Sequence, residues 1–327
     1  MSSSTRLFDK LEQCKQNKDF YQAHQICRTI YVRLRSSSND EQILKFLFES
    51  ACYFLEHNQS NSGYDLCKCY IETLNRSQLT ELTDNTIQQI CILFQSLKSF
   101  HDERTEFACN TLQSTSSNEP TKKVNYHKTG HPKLHEAFAR ILWEQEKNYK
   151  DSRYHYLRSY DGQSFATMLI EAHQTFGYPS EIDLFIAQTV LQYLLLRNFH
   201  TAYLVFVTYV EQHPKIRQTP PGPFNHVYPM LNFLWFLLLY ILPSTETTRC
   251  FSSLVNAYKQ SLERDSTLVQ YVERIGTLFF GLKQKQSPST SSNPFENLMN
   301  SLTANLSNSM RGREQHQHQS DIDLEVD

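Results

Sequence analysis

Two histidines four residues apart, in His131-Pro132-Lys133-Leu134-His135, are the arrangement in this chain that comes nearest to chemistry. On a helix that spacing sets both imidazoles on one face, where a zinc ion accepts them. A site also needs third and fourth ligands, and the sequence supplies none at a recognisable spacing. The two are therefore read as surface histidines near a helix start. His316 and His318 would bind metal only adventitiously. Asp65, or Asp161 before Gly162, could be imagined as an acid, but a lone carboxylate is usually a cap or a solvated charge. Phosphate loops, dinucleotide glycine patterns and nucleophile elbows are absent. The reading is that the chain is not an enzyme and has no catalytic residue, cofactor or metal.

The eight cysteines, Cys14, Cys27, Cys52, Cys67, Cys69, Cys91, Cys109 and Cys250, form no Cys-x-x-Cys pair. Cys67 and Cys69 would point in different directions on a helix. They are read as reduced thiols packing as small hydrophobes, which predicts a cytosolic or nuclear protein. The start, Met1 to Arg6, lacks the apolar core of a signal peptide. With formal net charge -2, nothing suggests a whole-protein binder of nucleic acid or anionic membrane. Eight glycines and 11 prolines in 327 residues argue against an all-β fold.

What positions these residues is a repeated phrase. Lys18-Asp19-Phe20-Tyr21-Gln22-Ala23 returns as Lys147-Asn148-Tyr149-Lys150-Asp151-Ser152 and as Arg197-Asn198-Phe199-His200-Thr201-Ala202. Each copy joins two helix-like stretches and sets a small residue three places after an aromatic one. The small residue lets two backbones approach, and the ring fills the groove beside it, as in tetratricopeptide-type hairpins. Helical stripes run almost to Gly281: Phe20, Ala23, Cys27, Ile30 and Leu34, for example, or Ile182, Ile186, Val190, Tyr193 and Leu194. Asn39-Asp40-Glu41 and Asp151 look like helix starts. The prediction is an all-α, right-handed α-solenoid of about seven TPR-like helical hairpins.

Composition divides the chain. Residues 1–113 hold the N-terminal hairpins, 114–130 a polar linker, 131–281 the C-terminal hairpins and 282–327 a low-complexity, mostly disordered tail. A short helix is possible at 295–310, where Phe295, Leu298, Met299, Leu302, Leu306 and Met310 make a stripe. The stretch from His213 to Tyr228 holds four prolines and is read as an ordered strap or a mobile lid. Arg6 to Arg35 holds seven bases and three acids, a balance of +4, which is either a solvated face or a docking surface for an acidic partner. Leu231 to Tyr240 is apolar all round, too short to span a bilayer. Two readings stay open for it: a central buried helix, or one whose outer side a second chain covers.

Several phrases resemble the Golgi-to-ER traffic factor four family, the scaffold of tail-anchored-protein targeting. They are Phe20-Tyr21-Gln22-Ala23-His24-Gln25 with Arg28-Thr29, Gly130-His131-Pro132-x-Leu134-His135, Ser152-Arg153-Tyr154-His155-Tyr156-Leu157, Ala187-Gln188-x-Val190-Leu191-Gln192, Leu231 to Leu239, and Arg274-Ile275-Gly276-x-Leu278-Phe279-Phe280-Gly281. They run in family order over about residues 6 to 281, and Asn297-Leu298 to Met310 resembles the family's tail.

The resemblance implies a cytosolic α-solenoid without enzymatic activity. Its N-terminal hairpins would dock on the targeting ATPase through His24, Arg28 and Asp65. Its C-terminal half would hold a ubiquitin-like protein through Phe224, Tyr228, Phe233, Trp235, Phe236 and Tyr240. Animal members also assemble with a BAG-domain co-chaperone. No nucleic acid partner and no direct membrane insertion is implied. Gln22 stands where relatives carry Glu, a departure on the docking face. A generic helical-repeat scaffold of another cytosolic assembly is the alternative; proteasome-lid-like scaffolds usually end in a stranded winged-helix module, and no strand pattern follows residue 245.

Overall fold

A computed structural model of the chain describes residues 3–37, 39–77, 82–116, 129–216, 228–241 and 247–282. All belong to the first of two units, Met1–Lys283; the second is Gln284–Asp327. The helix expected at 295–310, the tail disorder, most of the 114–130 linker and residues 217–227 of the proline-rich stretch, Phe224 included, lie outside the described residues.

Fifteen α-helices and no strand are found among the described residues. In order they are α1 (Ser3–Gln16), α2 (Phe20–Ser37), α3 (Asp40–Glu56), α4 (Ser60–Arg76), α5 (Asp84–Ser96), α6 (His101–Ser114), α7 (Pro132–Glu144), α8 (Tyr149–Tyr156), α9 (Gly162–Phe176), α10 (Ile182–Leu195), α11 (Phe199–Gln212), α12 (Pro229–Ile241), α13 (Thr247–Ala257), α14 (Lys259–Leu262) and α15 (Ser266–Phe280). A 3-10 turn, Pro179–Glu181, leads into α10. The arrangement is a helical solenoid. α1 packs on α2, α3 on α4 and α7 on α8. Beyond α8 the order loosens: α9 packs chiefly on α11, and α15 returns onto α10.

The repeated phrase is a backbone device. Lys18, Lys147 and Arg197 each take a left-handed conformation, with φ of 55°, 54° and 58°. Such a residue turns the chain sharply after one helix and releases it into the next. Asn58, with φ 58°, makes a fourth copy. Five places on, where the others carry Ala23, Ser152 and Ala202, this copy carries Gly63. A Cβ built there would lie 2.7 Å from the Leu55 side chain, so helices α3 and α4 touch closely at this point. Ser152 uses its proximity differently, donating a hydrogen bond of 2.8 Å to the Ala139 carbonyl on α7.

Side-chain caps fix several of the remaining boundaries. The side chains of Asn39, Thr83, His131, Asp161, Asn198 and Asp265 each accept from a backbone N–H in the first turn. Asp151 is not the cap of α8. Asn148 is, and Asp151 answers from inside the helix, its carboxylate accepting from Asn148 Nδ2 at 2.8 Å. The buried faces match the stripes: Ala23, Cys27 and Ile30 on α2, and Ile182, Ile186, Val190, Tyr193 and Leu194 on α10. Large buried tyrosines satisfy their hydroxyls across the seams, Tyr193 to the Tyr156 carbonyl and Tyr209 to the Ile182 carbonyl.

Candidate interaction surfaces

Helices α2 and α4 bring together the three polar residues singled out near the N-terminus. His24 Nε2 is hydrogen-bonded to Asp65 Oδ2 at 2.9 Å, and Arg28 Nη1 lies 3.6 Å from the same oxygen. Arg28 also donates to Cys69 Sγ at 2.6 Å. His24 and Arg28 are one turn apart, so they share a helix face, and Asp65 and Cys69 repeat the spacing opposite them. The Arg28 side chain stays 43% exposed. On the same helix Tyr21 is 76% exposed, an uncovered aromatic that pattern reading left unassigned. It lies seven residues before Arg28, which is the signal that could have found it.

Four of the N-terminal thiols are held in their protonated form. Burial pushes Cys27, Cys52, Cys69 and Cys91 up to about 11, so they stay protonated at neutral pH. All eight are free.

Helix α12 answers the open question about its all-round apolarity. Met230, Leu231, Phe233, Leu234, Leu237 and Leu238 are buried. Phe233 is 0% exposed and packs near Tyr258, with ring centroids 5.9 Å apart. It is a core residue rather than one that a partner could touch. The opposite side carries Trp235, Phe236 and Tyr240, each half-buried, and Leu239, 38% exposed. Trp235 stands 6.2 Å from Phe206, centroid to centroid, and its Nε1 is buried with no hydrogen-bond acceptor. Tyr228 is half-buried just before the helix. An apolar stripe of this kind, at helical spacing on one side of a helix, fits a nonpolar partner segment.

The two histidines of the metal-like spacing part company. His131 caps α7. His135 is not at the surface as expected: it is fully buried, hydrogen-bonded to His155 (Nδ1 to Nδ1, 2.9 Å) and, through Nε2, to the Thr129 carbonyl at 3.0 Å. A second buried pair joins His213 Nε2 to His173 Nδ1 at 3.1 Å, with His173 Nε2 3.0 Å from the Tyr178 carbonyl. Desolvation lowers His135 to about 3 and His213 to about 4, and takes His155 well below its ordinary value. Among the described residues no group of three or more His, Cys, Asp and Glu side chains could hold a metal ion. Nor is any helix there long and apolar enough to cross a membrane. Asp161 caps α9 and pairs with Arg140 at 3.1 Å, an ordinary structural carboxylate.

The chain matches the family model described as Golgi to ER traffic protein 4 over residues 37–303. It is 39% identical to the Golgi to ER traffic protein 4 homolog of Oryzias latipes over 297 residues, 91% of this chain and 87% of that protein. Against the homolog of Homo sapiens the identity is 38% over 284 residues, 87% and 82% of the two chains. The fold superimposes on a crystal structure of C. therm. Get4 with a TM-score of 0.73, covering 92% of this chain and 96% of that one at 19% identity. With the helical solenoid in place and the sequence match running through both of its halves, the chain belongs to the Golgi to ER traffic protein 4 family.

Proposed function

We propose that this protein is a cytosolic adaptor in post-translational targeting of tail-anchored membrane proteins to the ER. In this reading the α2–α4 face, with His24, Arg28 and Asp65, docks on the targeting ATPase. The outer stripe of α12, with Trp235, Phe236 and Tyr240 and with Tyr228 beside it, receives an apolar segment of a ubiquitin-like protein. That protein in turn brings the co-chaperones, and a BAG-domain co-chaperone completes the animal-type assembly. Family membership supports the coarse role in Golgi-to-ER traffic.

The observation that carries the bridging role is the presence on one solenoid of two chemically unlike surfaces. One is ionic and already internally paired; the other is apolar and half-exposed. Charged faces steer and select, whereas apolar stripes supply lasting affinity. The test is co-expression of residues 1–327 with the ubiquitin-like partner, followed by size exclusion. A stoichiometric complex that is lost with Leu239→Asp supports the reading. Two folded proteins eluting apart would leave the family and the fold standing and favour a generic scaffold.

A further inference from the structure

A trough of about 840 Å³ lies between α3 and α5, the leading helices of two successive hairpins, which pack on each other. Its floor is apolar: on α3, Leu44 is buried and Phe48 half-buried. Its walls carry amides. Gln42 on α3 and Asn85 on α5 are exposed, and neither side chain bonds to a partner among the described residues. Gln89, further along α5, accepts from the Tyr70 hydroxyl through Oε1 at 3.0 Å, which leaves both hydrogens of its Nε2 to give. The charges of the lining do not balance. Asp40 is held by Arg76, and Lys45 stands 4.0 Å from Glu49. Glu41 is left over, exposed and without an ion pair among the described residues. In the first turn of α3 its charge suits the helix dipole, and its exposure leaves it open to an incoming cation.

We propose that this trough receives an extended segment of a protein partner in which an apolar residue is flanked by lysine or arginine. The apolar side chain rests on Leu44 and Phe48, the cation meets Glu41, and the amides of Gln42, Asn85 and Gln89 bond the backbone. An apolar floor with a few convergent polar groups is the usual make-up of a binding site, and stacked hairpins offer extended surfaces to chains. A nucleic acid is the wrong occupant: its phosphates would meet the unpaired carboxylate, and both nearby cations, Lys45 and Arg76, are already matched by acids. A small ligand would need enclosing on most of its surface, whereas this trough is partly open. None of these lining residues belongs to the two surfaces of the proposed function, so the inference is independent of that reading.

The experiment titrates the full chain with a Gly-Ser peptide carrying one leucine between two arginines. Two analogues serve as comparisons, one with glutamates for the arginines and one with glycine for the leucine. The Leu44 methyl resonances, assigned by their loss in Leu44→Met, are followed by NMR. A saturable shift with the arginine–leucine peptide is expected, with each analogue binding at least tenfold more weakly. Equal binding of the three peptides, or no response at millimolar peptide, would overturn the proposal. Two variants at exposed positions fix the place. Asn85→Trp should fill the trough and abolish the shift at an unchanged melting temperature. Glu41→Gln should weaken the arginine–leucine peptide severalfold and leave the glutamate analogue no weaker than before. Undiminished binding of the arginine–leucine peptide in either folded variant would put it elsewhere on the molecule and sink the assignment.

Discussion

On the α2–α4 face the charged side chains of His24, Arg28 and Asp65 hold each other, whereas the outer side of α12 carries apolar groups and an unpaired N–H. His24, Arg28 and Asp65 form one cross-helix cluster, and Arg76 and Asp40 another. Further along, Trp235 keeps a buried N–H unpaired, and Leu239 shows its side chain to solvent. A satisfied ionic cluster costs little to expose and little to rearrange, so it suits transient docking. An unsatisfied apolar group costs the free protein stability, and a partner that covers it returns that stability as affinity. In the proposed function the two surfaces would therefore bind with different lifetimes.

That contrast can be broken most sharply at α12. Phe233→Ala should cost about 3–5 kcal/mol and melt the C-terminal half. Leu239→Asp, on the same helix, should leave the melting temperature within a degree or two and abolish the ubiquitin-like complex. Thermal melts paired with size exclusion distinguish them. If Phe233→Ala folds normally, the core assignment of that face is wrong.

Acid should act on one half only. The folded-state values of His135 and His213 lie below the unfolded 6.5, so the unfolded chain binds more protons as pH falls. Stability is therefore full above about pH 6.5 and declines below it, toward pH 4 and 3. Each of these two histidines should remove about 2 kcal/mol between pH 6.5 and 5. Hydrogen exchange on the intact chain at pH 7 and 5 should show protection falling around α7, α8 and the end of α9 before it falls in α3 and α4. Uniform loss would erase the distinction between the halves.

A smaller effect tests the ionic face. Arg28→Glu should change stability by no more than about 1 kcal/mol, since an exposed pair contributes little. It should nonetheless weaken ATPase docking and flatten its dependence on salt, measured by titration at two ionic strengths. Smallest of all is Lys147→Gly, which relieves a left-handed non-glycine residue but removes the exposed Lys147–Glu171 pair at 2.7 Å, and should stabilise by about 0.5 kcal/mol on thermal melting.

The helices and their buried faces were legible because a 3.6-residue stripe needs only residue type and spacing, both visible along the chain. The fourth junction was missed for an equally physical reason. Asn58 and Gly63 meet the same geometric demands as Lys18 and Ala23, left-handed backbone and small volume, with different residues, and no aromatic residue stands at position 60 to mark it. His135 was misplaced because its partner His155 is 20 residues away, and no local pattern reports such a pair. The cluster of His24, Arg28 and Asp65 came from family likeness. Only the packing of α2 on α4 adds Cys69 as the fourth member.

The return of α15 onto α10 has a consequence for how the protein is made. The hairpins up to α8 close contacts between neighbours in sequence, so each can form as it leaves the ribosome. The ion pair of buried Asp183 with Arg264 and the bond of Gln192 to Tyr271 join residues 81 and 79 positions apart. At ordinary translation speeds that interval lasts roughly 4–16 s. Through that time the apolar flank of α10 is synthesised but uncovered, and a cell that makes this scaffold must shelter it during its own birth.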